Sequence, residues 1–235
     1  MLITQLTLRF IMPKLLHIDS SARSGLSQTT PYGSHTRYLT ALFVEQWCQL
    51  NTTTQVIYRD VGVQPPAPVT GEWIHAAFTP ERAREDWMRE TLTASDVLID
   101  EILAADVIVA GVPMYNFGPP AQFKAYIDNI VRVGKTFGFD RTRSGEPYWP
   151  LLNQGKRLVI LSSRGDYGYD AGQPSAYRNH VESSIQSAFG YIGVTDVRGT
   201  AIEYDEFSDE RLAQSVARAT AEVKRLVHEM SAASS

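Results

Sequence analysis

Seven serine and threonine side chains lie in one short segment near the start of the chain, just before a predicted helix that begins at about Thr36. Hydroxyl groups and the N–H groups of a first helical turn can bind an anion together, even without a lysine. Because each hydrogen bond to a charged group contributes on the order of 1.5–3 kcal/mol, about four or five can hold a phosphate. The alternative is a surface loop in which Ser34 or Thr36 simply caps the helix. The seven residues are Ser20, Ser21, Ser24, Ser27, Thr29, Thr30 and Ser34.

A second candidate segment, residues 113–117, follows an apolar run at 107–112 that lacks the alternation of a half-exposed strand and so predicts a buried parallel strand. Pro113 cannot continue the ladder of hydrogen bonds, so the chain leaves the sheet there. The next four residues, Met-Tyr-Asn-Phe, offer polarizable, aromatic and amide groups at the carboxyl end of the strand, where open α/β sheets bind ligands. We expect a planar, hydrogen-bonding ligand here. The alternative is a tight turn whose side chains only fill the core, which suits a buried Asn116 poorly.

A third candidate segment, residues 162–169, comes directly after another apolar run. Its two glycines allow a close backbone approach, and its tyrosines can stack on a ring. A flexible turn is the alternative for this segment taken alone. The common position of all three segments, each after a strand, favours a single site.

Five strand–helix units position these segments. Strands that alternate with helices at this spacing imply a parallel sheet covered on both faces. Five units suit the doubly wound α/β order 2-1-3-4-5 of flavodoxin-like proteins, with a ligand at the switch between strands 1 and 3. Strands 1, 3 and 4 are neighbours in that order, so the three segments should meet in one crevice. The predicted strands are residues 15–18, 55–59, 107–112, 157–161 and 195–201.

The helices are predicted from apolar spacing and capping residues. Thr79 with Pro80 is typical of a helix start, so a helix is expected from there to about Ala104, with a break near Ser95. Residues 140–150, rich in Arg, Gly and Pro, predict a loop long enough to shape a site. The other helices are expected to begin at about Thr36 and near Pro120, and to cover residues 175–191 and 208–230.

Size and composition limit the class of protein. The 235 residues suffice for one domain, which we place at 14–231 after an N-terminal extension at 1–13. Hydrophobic residues at 43% and charged residues at 20% are typical of a soluble globular enzyme. The net charge of −4 argues against a nucleic-acid partner, which requires a basic surface.

The remaining compositional signals concern metals, disulfides and membranes. A single cysteine, Cys48, excludes an internal disulfide, and the five histidines lack metal-ligand spacing, so no metal site is expected. The apolar segment in the first twelve residues has no basic n-region and is shorter than the roughly 20 residues that span a bilayer. We therefore expect a cytoplasmic protein without a membrane partner.

Several motifs resemble the FMN-dependent NADH azoreductase family and the related NAD(P)H:quinone oxidoreductases. They are the Met-Tyr-Asn-Phe turn at 114–117, Gln-Phe-Lys-Ala-Tyr-Ile-Asp at 122–128 and Arg-Val-Gly-Lys-Thr-Phe at 132–137. Ser-Ser-Arg-Gly at 162–165 and Tyr-Ile-Gly-Val-Thr-Asp-Val at 191–197 match as well. The resemblance covers most of residues 14–231.

The resemblance implies an FMN site made by the three segments. A serine after the first strand, at Ser21, and a Ser-x-Ser/Thr pattern at the start of the first helix would bind the phosphate. Both residues 27–29 and residues 34–36 fit that pattern, and we choose 34–36 because the helix starts there. The family commonly has glycine where Asp166 stands, so an acidic group near the flavin is a departure. The implied cofactor-binding residues are Ser21, Ser34, His35, Thr36, Met114, Tyr115, Asn116, Phe117, Ser163, Arg164, Gly165 and Asp166.

The resemblance also implies an activity. Two electrons would pass from NADH or NADPH through FMN to a quinone or azo compound by a ping-pong mechanism, and no protein side chain is expected to be the catalytic group because the flavin carries the chemistry. The alternative is a flavodoxin-like electron carrier that serves a protein partner. A homodimer is expected, because aromatic residues around 73–87 and 140–149 exceed what one small core requires. These aromatics are Trp73, Phe78, Trp87, Tyr148 and Trp149.

Overall fold

A parallel sheet of five strands forms the centre of residues 12–232, the part of the chain that the computed structural model describes. The strands of this part are β1 (Lys14–Asp19), β2 (Gln55–Asp60), β3 (Val107–Pro113), β4 (Phe137–Phe139), β5 (Tyr148–Pro150), β6 (Arg157–Ser163) and β7 (Asp196–Ile202). The sheet has the order β2-β1-β3-β6-β7, and all its neighbours are parallel. Since β4 and β5 lie outside it, this is the predicted order 2-1-3-4-5.

Helices cover both faces of the sheet. In residues 12–232 they are α1 (His35–Leu50), α2 (Gly71–Phe78), α3 (Asp86–Ala104), α4 (Ala121–Ile130), α5 (Val181–Ile192) and α6 (Glu210–Ala232). Even-numbered residues of the central strands, such as Ile108 and Ile160, pack with α3, α4 and α5. Odd-numbered ones, such as Val109 and Val159, pack with α1 and α6. The two-residue alternation of a strand therefore divides the apolar residues between two cores.

The central strand β3 is buried along its whole length, as its uninterrupted apolar run predicts. Its neighbours β1 and β6 are nearly as buried, whereas the edge strands β2 and β7 are largely half-buried or exposed. Because all five strands run in one direction, their carboxyl ends meet at one edge of the sheet. The loops that follow β1, β3 and β6 therefore lie next to each other.

Two helix boundaries differ from the prediction. Thr79 does not begin a helix: it ends α2, a helix of residues 71–78 that the sequence did not reveal. A short 3-10 turn at 81–83 follows, and α3 then runs without a break past Ser95, whose hydroxyl donates a hydrogen bond to the carbonyl of Asn129. Farther along the chain, α5 begins at Val181 instead of residue 175, after a 3-10 turn at 176–178.

The loop predicted at residues 140–150 is a loop over residues 140–147, where it connects the two strands of a β-hairpin, and its last three residues form β5. Strand β4 pairs antiparallel with β5, and the indole of Trp149 lies directly on Gly138. A Cβ at Gly138 would come within 2.0 Å of that ring, so only glycine permits the contact. The hairpin continues into an aromatic cluster through Tyr148, whose ring centroid is 5.9 Å from that of Tyr191 on α5.

The N-terminal extension predicted at residues 1–13 falls almost entirely outside the described residues, and only Met12 and Pro13 precede β1. No helix within residues 12–232 combines the length and the apolar character needed to cross a membrane. The same residues contain no group of three His, Cys, Asp or Glu side chains arranged to hold a metal ion.

Candidate functional site

A small cavity lies where the loops after β1, β3 and β6 meet, at the carboxyl edge of the sheet. Its volume is about 180 Å³. Here the chain connections from β1 and β3 diverge to opposite sides, which makes it the switch point at which open α/β sheets bind ligands. The residues lining it are Ser21, Arg23, Ser34, His35, Pro113, Met114, Tyr115, Ser163, Gly165, Asp205 and Glu206.

Two larger hollows occur among the described residues. One, of about 700 Å³, lies along the outer edge of β7, and the other, of about 940 Å³, lies at the amino ends of β6 and β7. Neither is bordered by the loops that follow β1 and β3. The smaller cavity is therefore the better candidate, because position at the switch point is a more specific signal than volume.

The start of α1 forms one end of the cavity. Ser34 is the N-cap residue, and its hydroxyl accepts a hydrogen bond from the backbone N–H of Arg37 at 3.3 Å. The hydroxyl of Thr36 lies 3.0 Å from that of Ser34, and Ser21 stands across the cavity after β1. In a helix the first N–H groups have no carbonyl one turn earlier to bond. Hydroxyl groups and helix dipole together make this end suitable for an anion.

The alternative hydroxyl pair, Ser27 and Thr29, lies farther back in the same loop. Ser27 donates its N–H to the carbonyl of Ser34 at 3.3 Å, and Thr29 donates to Leu26 at 3.1 Å. Both residues precede the helix by a full turn of loop and lie outside the cavity lining. The geometry thus favours residues 34–36 for an anion.

A charged group stands beside this hydroxyl end. Asp205, in the loop after β7, lies 3.2 Å from the Nε2 atom of His35 and 3.4 Å from a guanidinium nitrogen of Arg23. The hydrogen bond with His35, aided by the charge of Arg23, lowers the pKa of the Asp205 carboxyl. This carboxylate holds both side chains at the cavity, where the guanidinium of Arg23 can approach an anionic ligand.

The Met-Tyr-Asn-Phe segment forms a tight turn at the mouth of the cavity. Tyr115 and Gly118 exchange two backbone hydrogen bonds, and the residues between them have positive φ angles, 48° for Asn116 and 73° for Phe117. Such conformations cost of order 1–3 kcal/mol each in residues other than glycine and are concentrated at functional sites. The hydroxyl of Tyr115 accepts a hydrogen bond from the N–H of Ala22 at 3.2 Å, which joins this turn to the first loop.

The turn exposes two aromatic rings. Tyr115 and Phe117 are 37% and 43% exposed, so their rings are accessible from solvent. Of the four turn residues, Met114 and Tyr115 line the cavity, whereas Asn116 and Phe117 are not among its lining residues. Exposed rings beside a polar cavity are suited to stacking on a planar ligand.

The loop after β6 contributes Ser163 and Gly165 to the lining. The backbone at Gly165 lies so close to Glu206 that a side chain there would collide with it: a Cβ on Gly165 would lie 2.5 Å from a carboxylate oxygen of Glu206. The backbone also ties the loops together, since Met114 donates its N–H to the carbonyl of Ser163 at 2.9 Å. The strand therefore leads directly into the site, two residues later than its predicted end.

Two predicted residues of this loop lie elsewhere. The guanidinium of Arg164 is 3% exposed and pairs with carboxylates of Asp170, Glu182 and Glu203, so it is not available to the cavity. Burial alone would lower the pKa of Arg164, but its carboxylate partners raise it above the usual value, and the side chain stays charged. Asp166 is exposed and accepts a hydrogen bond from the N–H of Tyr167. The acidic groups at the cavity are instead supplied by the loop after β7.

Sequence reasoning missed four lining residues: Arg23, Pro113, Asp205 and Glu206. Arg23 and Pro113 lie in the first and second candidate segments but are not among the predicted cofactor-binding residues. Asp205 and Glu206 follow the fifth strand, so the rule that was applied to strands 1, 3 and 4 would have found them. Thr36, one of the predicted cofactor-binding residues, is fully buried, and its hydroxyl forms a hydrogen bond with that of Ser34.

The sheet order and the crevice at its switch point define a flavodoxin-like α/β protein. A family described as having a flavodoxin-like fold matches residues 13–226. Among curated proteins, FMN-dependent NADH:quinone oxidoreductase 2 of Colwellia psychrerythraea is 40% identical over 93% of this chain and all of its own length. The protein of the same name from Idiomarina loihiensis is 42% identical over 94% of this chain and 91% of its own.

Solved structures agree in fold. A crystal structure of an azoreductase from Bacillus anthracis superposes with a TM-score of 0.80, covering 93% of this chain and all of that one at 20% identity. The chain therefore belongs to the flavodoxin-like family that includes the FMN-dependent NADH:quinone oxidoreductases, and it is an oxidoreductase enzyme.

Proposed function

We propose that this protein binds FMN at the switch-point cavity and transfers two electrons from NADH to quinones and azo compounds. The observation that carries the proposal is the meeting of an anion-binding helix start with an exposed aromatic turn in one crevice. FMN has a terminal phosphate at one end and a planar ring at the other. The names of the relatives favour NADH over NADPH as the donor.

The residues present fit FMN. Ser21, Ser34 and the first N–H groups of α1 would hold the phosphate, with Arg23 supplying positive charge beside His35. Tyr115 and its neighbours in the turn would contact the ring, and the backbone around Gly165 would line its polar edge. When bound, FMN supplies the hydride and electron chemistry, while the protein contributes binding and orientation. The donor and the acceptor would occupy the same place in turn, so the steady-state kinetics would be ping-pong.

The size of the cavity supports a homodimer. Ligand sites usually enclose about 300–1,000 Å³, and one chain supplies about 180 Å³ here. A second copy would close the open side above the aromatic turn. Exposed aromatics available for such contacts include Phe78, Trp87 and Tyr148. A stable interface would bury roughly 1,200 Å² or more in total.

The first experiment is purification without added cofactor, followed by the visible spectrum and mass of the released compound, which is expected to be FMN and not FAD. Oxidation of NADH with a small quinone then distinguishes an enzyme from an electron carrier, because a carrier binds flavin equally well but requires a protein partner. A colourless protein that ignores added FMN would overturn the proposal.

The oligomeric state is tested separately by light scattering at micromolar concentration, with quinone reductase activity measured on the same sample. We expect a dimer. A monomer with full activity would refute the shared site and favour the single-chain carrier.

A further inference from the structure

Arg37 is a charged residue buried in the first turn of α1, immediately after the proposed phosphate-binding residues 34–36. Its side chain is 7% exposed. Burying a charge is costly unless partners compensate for the lost water. The partners of Arg37 fall into two groups, one of side chains and one of backbone carbonyls.

The side-chain partners neutralise the charge of Arg37. Asp60, at the end of β2, accepts two hydrogen bonds from the guanidinium at 2.6 and 2.8 Å, and Asp19 at the end of β1 lies 3.5 Å away. The hydroxyl of Tyr58 is a further acceptor at 3.2 Å. Burial alone would lower the pKa of Arg37, but these acidic partners raise it, so the guanidinium is charged and fully paired. Arg37 is therefore not a ligand for a phosphate.

The backbone partners belong to the first loop. The Nε atom of Arg37 donates to the carbonyl of Arg23 at 2.8 Å, and one terminal nitrogen donates to the carbonyl of Ser21 at 2.9 Å. The backbone at Gly62, just after β2, packs against the Ser21 carbonyl: a Cβ on Gly62 would lie 2.1 Å from the Ser21 carbonyl oxygen. The Ser21 carbonyl is thus confined between the guanidinium and the backbone after β2.

Fixing these carbonyls also fixes the N–H groups that follow them. In a trans peptide the C=O and the next N–H point in opposite directions. With the Ser21 carbonyl directed at Arg37, the N–H of Ala22 points the other way, and it meets the hydroxyl of Tyr115 at the cavity. The N–H after the Arg23 carbonyl, that of Ser24, is turned away from Arg37 in the same manner.

We propose that Arg37 is a positioning residue that orients the first loop for the FMN phosphate and so makes the site select FMN over riboflavin. The inference rests on the proposed function, because it assumes that FMN binds here. Arg37 acts mainly on the phosphate end: its contacts lie at the ends of β1 and β2 and in the first loop, where it holds the backbone of Ser21 and Arg23, both of which line the cavity. It reaches the aromatic turn only indirectly, through the N–H of Ala22.

The test compares the affinities of FMN and riboflavin, which differ only by the phosphate. Wild type, Arg37→Met and Arg37→Lys are stripped of flavin and titrated with each compound by flavin fluorescence. The loss of about one loop contact to the phosphate predicts FMN binding weaker by about 30-fold in Arg37→Met, with riboflavin binding changed by less than about threefold. Lysine keeps the charge but lacks the planar fork, so Arg37→Lys is expected to lose FMN affinity by about tenfold.

The matched control is Arg59→Met. Arg59 lies on the same strand as Asp60 and pairs with Glu101, away from the first loop. It should lose stability without changing the ratio of FMN to riboflavin affinity. Equal loss of both ligands in the Arg37 variants, or unchanged FMN binding in Arg37→Lys, would overturn the inference; if Arg37→Met does not fold, Arg37→Lys decides. Failure of wild type to bind FMN would instead overturn the proposed function.

Discussion

Replacing Ser34 by alanine together with Thr36 by valine tests the phosphate end of the site directly. Ser34 is the lining residue, so its loss removes one hydrogen bond to a charged group, about 1.5–3 kcal/mol. Valine at 36 removes the hydroxyl that lies 3.0 Å from Ser34 and orients it; in the double variant this adds up to about 1 kcal/mol. A total near 3 kcal/mol corresponds to FMN binding weakened by roughly 100-fold. Titration of the flavin-free protein by fluorescence measures it.

The same double variant also loses a helix cap, because the hydroxyl of Ser34 accepts the N–H of Arg37. Loss of such a cap costs about 1 kcal/mol, or about 2–4 °C in Tm for a domain of this size. Thermal unfolding of the flavin-free protein therefore separates the two effects. A fall in Tm much larger than this would mean that weaker binding reflects a damaged fold.

The matched control is Ser27→Ala with Thr29→Val, in the same loop but outside the cavity lining. It should change FMN affinity by less than about threefold, well under 1 kcal/mol. The reverse order, with the larger loss at 27 and 29, would refute the assignment and place the phosphate on the earlier pair.

Three further outcomes are expected. Asp205→Asn should lower the free energy of unfolding at pH 7 and should do so progressively less as the solution is acidified. A carboxyl whose pKa is lowered in the folded state stabilises the fold above its unfolded pKa and loses that contribution as pH falls through the folded value; urea unfolding of both proteins across an acidic pH series measures this. Gly138→Ala should displace the ring of Trp149 and shift tryptophan fluorescence to longer wavelength, and an unchanged spectrum would contradict the close contact. Deletion of residues 1–11 should leave Tm and FMN affinity unchanged, since the first core strand begins at Lys14, and a large drop in either would show that the segment packs on the domain.

The sheet could be predicted from the sequence because its central strands are apolar on both faces, a pattern that few other elements share. The apolar runs at 107–112 and 157–161 predict buried strands, and the alternation of strands with helices along the chain then predicts their positions in the sheet. The short elements could not be found in the same way. Helix α2 has eight residues, too few for a clear period, and Thr79-Pro80 has the residue types of a helix start although it follows a helix end. Strands of three residues, as in the β4–β5 hairpin, show no alternation at all.

The candidate site was predictable to the level of its loops but not of every side chain. A loop that follows a strand must lie at the carboxyl edge, so the lining by Ser21, Ser34 and Tyr115 follows from topology. The direction of a side chain depends on partners distant in the sequence. Arg164 is held away from the cavity by Glu182 and Glu203, and nothing in the local sequence indicates those pairings. The positive φ angles at Asn116 and Phe117 could not be predicted from the sequence either, because neither residue is glycine.

The three loops of the cavity are brought together only in the folded chain: Ala22 and Tyr115, which touch, are 93 positions apart. A ligand that spans these loops can bind the native state but not the unfolded chain. At a concentration 100 times its Kd, such a ligand adds about 2.7 kcal/mol to the free energy of unfolding. The supply of flavin in a cell would then govern how often this protein opens to proteases. Its half-life, and not only its turnover, would then depend on the flavin concentration.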